Sequence, residues 1–296
     1  MSLVVTLVAA DPHDLVAALE AVEIAFLGTG ATVGETDLLG PNAADLPVDS
    51  AFPALIRERA EGALQGRRVD VCVQPAAGRR KRLLIADMDS TIINVECLDE
   101  LADFAGVKAQ VAAITERAMA GELAFEGALR ARVAMLKGLG LEALQRCYDE
   151  RVRLNPGAET LVKTMAAHGA RCALVSGGFT FFTSRVATAA GFHDNRANTL
   201  IEEGGLLAGL VGEPILGREA KLAALQEEVA ALGLTAVDAL AVGDGANDLA
   251  MIEAAGLGIA YRAKPVVAAQ ADARVDHADL TALLYFQGYR REEFAA

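Results

Sequence analysis

The spacing of apolar and polar positions changes character near residue 80, and that change divides the chain. Ahead of it, the pattern predicts a strand over Leu3–Ala9, a helix from about Asp11 to Val22 and a strand near Thr32–Leu39. A helix over Ala51–Leu64 and a strand over Val69–Gln74 follow, with a weaker strand signal at Ala44–Val48. This β-α-β-(β)-α-β order fits a small ferredoxin-like α+β sandwich, with helices on one face of an antiparallel sheet. Asp11 followed by Pro12 reads as a helix cap with proline at the first helical position. The turn residues and basic cluster of Pro75–Arg82 break the pattern, which places a domain boundary there, with residues 1–76 before it and 77–296 after it. Arg79, Arg80, Lys81 and Arg82 read as a solvated linker.

From Leu83 onward, short runs that are apolar at every position alternate with helical stretches. Leu83–Ala86, Cys172–Val175, Ala239–Val242 and Leu257–Ala260 are the clearest strands, and such runs suit a parallel sheet covered by helices on both sides. The expected fold class is α/β, a doubly wound Rossmann-like sheet with its site at the carboxyl ends of the strands. Residues 96–152 keep helical periodicity throughout and are too long for one crossover helix, so they read as an inserted helical cap.

Charge narrows the partners. The chain carries 27 basic and 40 acidic side chains, a net charge of −13, which repels nucleic acid and anionic membrane surfaces. A small anionic substrate would be repelled as well, so a phosphate site must supply its own positive charge. Cys72, Cys97, Cys147 and Cys172 form no C-x-x-C pair and read as buried thiols in a reducing compartment. His13, His168, His193 and His277 show no metal-ligand spacing. Neither a secretory leader pattern nor an apolar run of about 20 residues is present, so the expected location is the cytoplasm.

Three of the strands run into residues suited to phosphoryl transfer. The first ends in Asp87-Met88-Asp89-Ser90-Thr91, the second in Ser176-Gly177-Gly178, and the third in Gly243-Asp244-Gly245-Ala246-Asn247-Asp248. A carboxylate at the end of an apolar strand is costly unless a cation or hydrogen bonds compensate it. Asp87, Asp89, Asp244 and Asp248 together make an oxygen-rich set without His or Cys, which suits Mg²⁺.

These motifs, in this order and with Lys221 between the second and third, closely resemble the haloacid dehalogenase superfamily of phosphohydrolases. The resemblance implies that Asp87 attacks phosphorus and that Asp89 acts as general acid and then base. It implies that Ser176, with Gly177 beside it, and Lys221 hold phosphate oxygens. Asp244 would bind Mg²⁺ together with Asp87 and Asp89, with Asn247 and Asp248 supporting metal and phosphate.

Within that superfamily, the run Asp87–Ala102 and the segment Thr115–Phe125 leading to Leu129–Val133 resemble the phosphoserine phosphatases, from roughly Arg82 to the end of the chain. The implied reaction is hydrolysis of O-phospho-L-serine to serine and phosphate, the last step of serine biosynthesis. By the same resemblance Glu96 meets the substrate ammonium and Arg132 its carboxylate, with Met119 and Phe125 as apolar walls. One departure is Ala250, where this subgroup usually has proline. The alternatives are a phosphatase for another small phosphometabolite, or a non-enzymatic regulator responsive to phosphate or an amino acid. The N-terminal pattern resembles ACT-type modules, which implies amino-acid binding and homodimer formation; a purely structural domain is the alternative. Leu284–Gly288 resembles a protease-tag remnant, but its continuation into Tyr289–Phe294 reads as native chain.

Overall fold

A computed structural model describes residues 1–119 and 122–295. The N-terminal part contains β1 (Ser2–Ala9), α1 (Leu15–Phe26), β2 (Thr32–Val33), β3 (Asp37–Gly40), β4 (Ala43–Asp49), α2 (Pro53–Ala63) and β5 (Val69–Pro75). Its strands pair antiparallel in the order β2-β4-β1-β5, with β3 also on β4. Helix α1 follows a single 3₁₀ turn at Pro12–Asp14, where the Asp11 side chain accepts the His13 N–H, and continues past the expected end at Val22. The strand expected over 32–39 is two short pieces, β2 and β3.

The weakly signalled β4 is an inner strand, paired with β1 along its length. Asp45 and Pro47 blur its apolar alternation. The structure shows why a carboxylate is tolerated there: Asp45 accepts from the Thr6 hydroxyl at 2.6 Å and from two Arg79 nitrogens at 2.6 and 3.0 Å. One face of this sheet buries Val5, Leu7 and Leu46 against Leu19, Val22 and Ile56 of α1 and α2. The other face gives Val8, Leu39, Ala43 and Cys72 to the main core of the molecule.

The basic cluster is therefore not a solvated linker. Arg79 also bonds the carbonyls of Tyr285 and Phe286, Lys81 is only 5% exposed and donates to the Gly78 and Val237 carbonyls, and Arg80 pairs with Glu293 over the Tyr289 ring. Asp70 on β5 reinforces the junction by accepting from the backbone N–H groups of Asp276, His277 and Ala278.

The second part runs β6 (Leu83–Ala86), α3 (Cys97–Phe104), α4 (Lys108–Met119), α5 (Phe125–Ala134), α6 (Leu141–Arg151), α7 (Ala158–Ala167), β7 (Arg171–Phe179), α8 (Thr180–Ala190) and β8 (Asp194–Asn198). It continues with β9 (Leu200–Glu203), β10 (Leu206–Val211), α9 (Arg218–Ala231), β11 (Ala239–Gly243), α10 (Leu249–Ala254), β12 (Leu257–Tyr261), α11 (Pro265–Ala268), β13 (Ala273–Val275) and α12 (Ala282–Phe286). Six strands pair parallel in the order β13-β12-β11-β6-β7-β8. Leu84 and Ala86 of β6 face one hydrophobic layer, Leu83 and Ile85 the other, as a strand covered on both faces requires. The chain leaves β6 towards β7 on one side and later returns to its other side with β11, so β6 lies at a topological switch point.

Helices α3 to α6 occupy the stretch expected to be an inserted cap. The β9–β10 hairpin was not anticipated; it clips to the cap where Leu207 exchanges backbone hydrogen bonds with Leu139 and Gly138. The stretch Leu284–Gly288 is integral, with Leu284, Tyr285, Phe286 and Gln287 buried. Among the described residues, no helix is long and apolar enough to cross a membrane.

Candidate active site

Asp87 is the first residue beyond β6, and its N–H donates to the Val242 carbonyl on β11 at 3.0 Å. That bond fixes the nucleophile candidate between the two central strands. The chain then turns tightly through Met88–Ile92, where Ser90 adopts φ 56°. The Ser90 hydroxyl donates to Glu96 Oε1 at 2.7 Å, and the fully buried Thr91 hydroxyl donates to Asp244 Oδ1 at 2.9 Å. Neither bond was foreseen, although both hydroxyls lie in the motif that carries Asp87.

Lys221, on the first turn of α9, is 2% exposed and reaches Asp87 Oδ1 at 2.6 Å and Asp248 Oδ1 at 2.5 Å. Asp248 also accepts the Gly245 N–H at 3.0 Å. A Cβ on Gly243 would collide with the Asp248 carboxyl, so only glycine allows this approach. Asn247 is half-buried, with its side-chain oxygen close to Gly245.

Asp87, Asp244 and Asp248 each place a carboxylate oxygen within 4.8 Å of the others. Three convergent carboxylates without His or Cys fit a hard, oxygen-preferring divalent cation. The Asp89 carboxylate stands outside this group, although it was expected among the metal residues. Its Oδ1 accepts the Cys97 N–H at the start of the cap at 3.0 Å, and its Oδ2 lies 3.5 Å from Ser176 Oγ. Ser176 Oγ in turn accepts the Gly178 N–H at 2.9 Å. A Cβ on Gly178 would come within 2.7 Å of Asp89 Oδ2, so the glycine keeps that carboxylate's space open.

Burial and crowding of like charge set the protonation. Burial, with Asp248 alongside, raises the Asp87 carboxyl well above the usual range, and Lys221 opposes the rise. Burial and the Glu96 charge push Asp89 up to about 7. Burial and Asp248 push Asp244 to about 6. For Lys221, burial acts downward, but Asp248 and Asp87 outweigh it and its ammonium is held more firmly than usual.

The cap supplies the remaining candidates. Arg132 is half-buried on α5, and burial lowers its pKa against the nearby Asp99 and Glu96 charges. Its Nε donates to the Ala128 carbonyl, and among the described residues it has no ion-pair partner. Phe125 rests on the core: a Cβ on Gly177 or on Gly217 would lie 3.3 Å from its ring. Met119, the other expected wall, has a side chain outside the described residues. Cavities of ≈ 210 and ≈ 390 Å³ lie along the seam between the N-terminal sheet and the core and are lined by none of these residues.

Comparison with known proteins agrees with this geometry. The family model described as haloacid dehalogenase-like hydrolase matches residues 84–253. A phosphoserine phosphatase of Polaromonas sp. (strain JS666) is 48% identical over 208 residues, covering 69% of this chain and 88% of that protein. The crystal structure of a HAD-family hydrolase from Salmonella enterica serovar Typhi is similar over 97% of this chain and 98% of its own, with TM-score 0.83 and 30% identity. A phospho-aspartyl intermediate analogue of phosphoserine phosphatase covers 70% of this chain and 99% of its own, with TM-score 0.65 and 39% identity. The chain belongs to the haloacid dehalogenase-like hydrolases, and within them to the phosphoserine phosphatase family.

Proposed function

We propose that this chain hydrolyses O-phospho-L-serine to serine and phosphate with Mg²⁺ as its cofactor, closing serine biosynthesis. The observation that carries the reading is a Lys221-bound Asp87 at the end of the sheet, with Glu96 bonded to Ser90 of the turn that follows Asp87, and with Arg132 of α5 near the Glu96 charge and without an ion-pair partner among the described residues. Phosphoserine carries a phosphate, an ammonium and a carboxylate, and these three groups are its complements.

When bound, Mg²⁺ supplies positive charge that keeps the clustered carboxylates ionised and offsets repulsion between Asp87 and a dianionic phosphate. Asp87 then attacks phosphorus in line as the phosphorus–oxygen bond to serine breaks. Asp89, neutral at first because it is buried beside Glu96, gives its proton to the departing seryl oxygen. The ionised Asp89 next takes a proton from the water that splits the aspartyl-phosphate, which returns both carboxyl groups to their starting state. Lys221, Ser176, Gly177 and Asn247 hold the phosphate oxygens, and Asp248 keeps the Lys221 ammonium in place. Glu96, oriented by Ser90, receives the ammonium, and Arg132 the carboxylate.

The reading extends to the whole molecule. Residues 1–76 form an ACT-like unit and 77–296 the phosphatase with its cap at 96–152. The N-terminal unit pairs two copies through α1 and the residue just after it, where Val16, Ile24 and Leu27 are 64%, 67% and 77% exposed. Four buried free thiols suit a cytoplasmic location.

The test is phosphate release from O-phospho-L-serine with Mg²⁺ and with excess chelator, beside a sugar phosphate and phosphohomoserine. Mg²⁺-dependent release with preference for phosphoserine is expected. Lack of release from every substrate would reject the enzyme, and preference for another would reject the substrate.

A further inference from the structure

The phosphate-binding side of the site rests on a residue that belongs to none of its motifs. Strand β7 pairs regularly with β8 up to Val175–Arg196 and resumes at Phe179–Asn198. Ser176, Gly177 and Gly178 bulge out of the ladder between these pairs. A bulge frees backbone groups from their ladder partners, and buried ones need replacements. Asn198, 2% exposed at the end of β8, supplies one: its Nδ2 donates to the Gly177 carbonyl at 2.9 Å.

The same side chain reaches a second segment. Its Nδ2 lies 3.2 Å from the Leu216 carbonyl and its Oδ1 accepts the Leu216 N–H at 2.7 Å. Leu216 and Gly217 lead directly into α9, which carries Lys221 in its first turn. One carboxamide therefore joins the segment bearing Ser176 and Gly177 to the segment that launches Lys221. Phe125 of the cap spans the two glycines that follow from this joint, Gly177 and Gly217.

We infer that Asn198 is a positioning residue for phosphoryl transfer, setting the distance between the Ser176–Gly177 turn and the start of the Lys221 helix and thereby levelling the surface on which Phe125 closes. An asparagine suits the task because it donates and accepts at once, and this joint needs two donations and one acceptance. Aspartate keeps the shape and the acceptor but loses both donations. Serine is too short to span both segments.

The inference rests on the phosphatase reading, and its controls keep the two apart. Full-length Asn198→Asp and Asn198→Ser are compared with the unsubstituted protein for kcat and KM on O-phosphoserine and on p-nitrophenyl phosphate, for inhibition by inorganic phosphate, and for Tm and far-UV circular dichroism. Displacement of positioned groups by about 1 Å costs on the order of 100-fold, so kcat/KM is expected to fall roughly 10- to 100-fold on both substrates, well below the Tm of each variant. Inhibition by inorganic phosphate weakens in parallel, because the joint serves the phosphate and not the seryl group. A purely structural role would lower Tm and leave the kinetics and phosphate inhibition of the folded variants unchanged; that result overturns the inference. A loss confined to phosphoserine also overturns it, since it would place Asn198 in substrate selection. If neither variant folds, Asn198 is a folding residue and the assignment is rejected. Inactivity of the unsubstituted protein on both substrates would instead reject the proposed function.

Discussion

Lys221 Nζ lies 2.6 Å from Asp87 Oδ1, and the two side chains are only 2% and 8% exposed. The same ammonium lies 2.5 Å from Asp248 Oδ1. Lys221→Met leaves two buried carboxylates without their cation. In excess chelator this variant is expected to lose roughly 3–5 kcal/mol of stability, the usual cost of stranding buried charge. Added Mg²⁺ recovers part of that loss but not the activity. Denaturant melts with and without Mg²⁺ measure this, and unchanged stability in chelator would show that the ammonium does not hold the cluster.

Asp87→Asn removes the attacking carboxylate while keeping the shape of the site. Turnover is expected to fall by more than about 10³-fold. Beryllofluoride should protect the unsubstituted protein against thermal unfolding and should not protect this variant. Substantial residual turnover would rule out the covalent route through Asp87.

Protonation of the site couples its stability to pH. Asp89 and Asp244 are held at about 7 and about 6 in the folded chain, above the unfolded value of 3.8. Between these values the folded state binds the extra protons, so their stabilisation is complete below about pH 4 and lost as pH rises through 6 to 7. In chelator, Tm is therefore expected to fall between pH 5 and 8. The increment from Mg²⁺ grows as pH rises through about 6, because cation and proton compete for Asp244. A Mg²⁺ increment independent of pH, or one unaffected by Asp244→Asn, would remove Asp244 from the metal site.

The raised Asp89 also predicts which substrate feels pH. Serine leaves as an alkoxide and needs a proton, whereas p-nitrophenolate is stable without one. As pH rises through about 7, kcat/KM should decline more steeply for phosphoserine than for p-nitrophenyl phosphate. Identical profiles would deny Asp89 its role as acid.

Selectivity is assigned to Arg132 and Glu96. Removing either leaves a charged group of the substrate unpaired in a partly dry site, at a cost of roughly 2–4 kcal/mol in kcat/KM for phosphoserine. Turnover of p-nitrophenyl phosphate, which has neither group, should change much less. Equal losses on both substrates would assign these residues to cap stability.

Much of this molecule was readable along the chain. The all-apolar runs at Leu83–Ala86 and Ala239–Val242 announce strands buried on two faces, and the acidic residues just beyond them, Asp87 and Asp244, demand a compensating cation or hydrogen bonds. Helical periodicity over 96–152 likewise marked helices α3 to α6, because burial of one helix face leaves a local signature. What tertiary structure alone decided depends on partners distant in sequence. Asp45 makes β4 look polar until Arg79, 34 residues later, closes on it, and the same contact turns an apparent linker into a buried junction. Asp89 has the sequence of a metal residue, yet its carboxylate faces Cys97 and Ser176, because side-chain direction follows from the turn at Ser90 and not from motif order. Asn198 carries no signal at all in its own neighbourhood. Its importance comes from a carbonyl freed by a bulge in β7 and an N–H ahead of α9, two groups that meet only when the sheet and helices have packed.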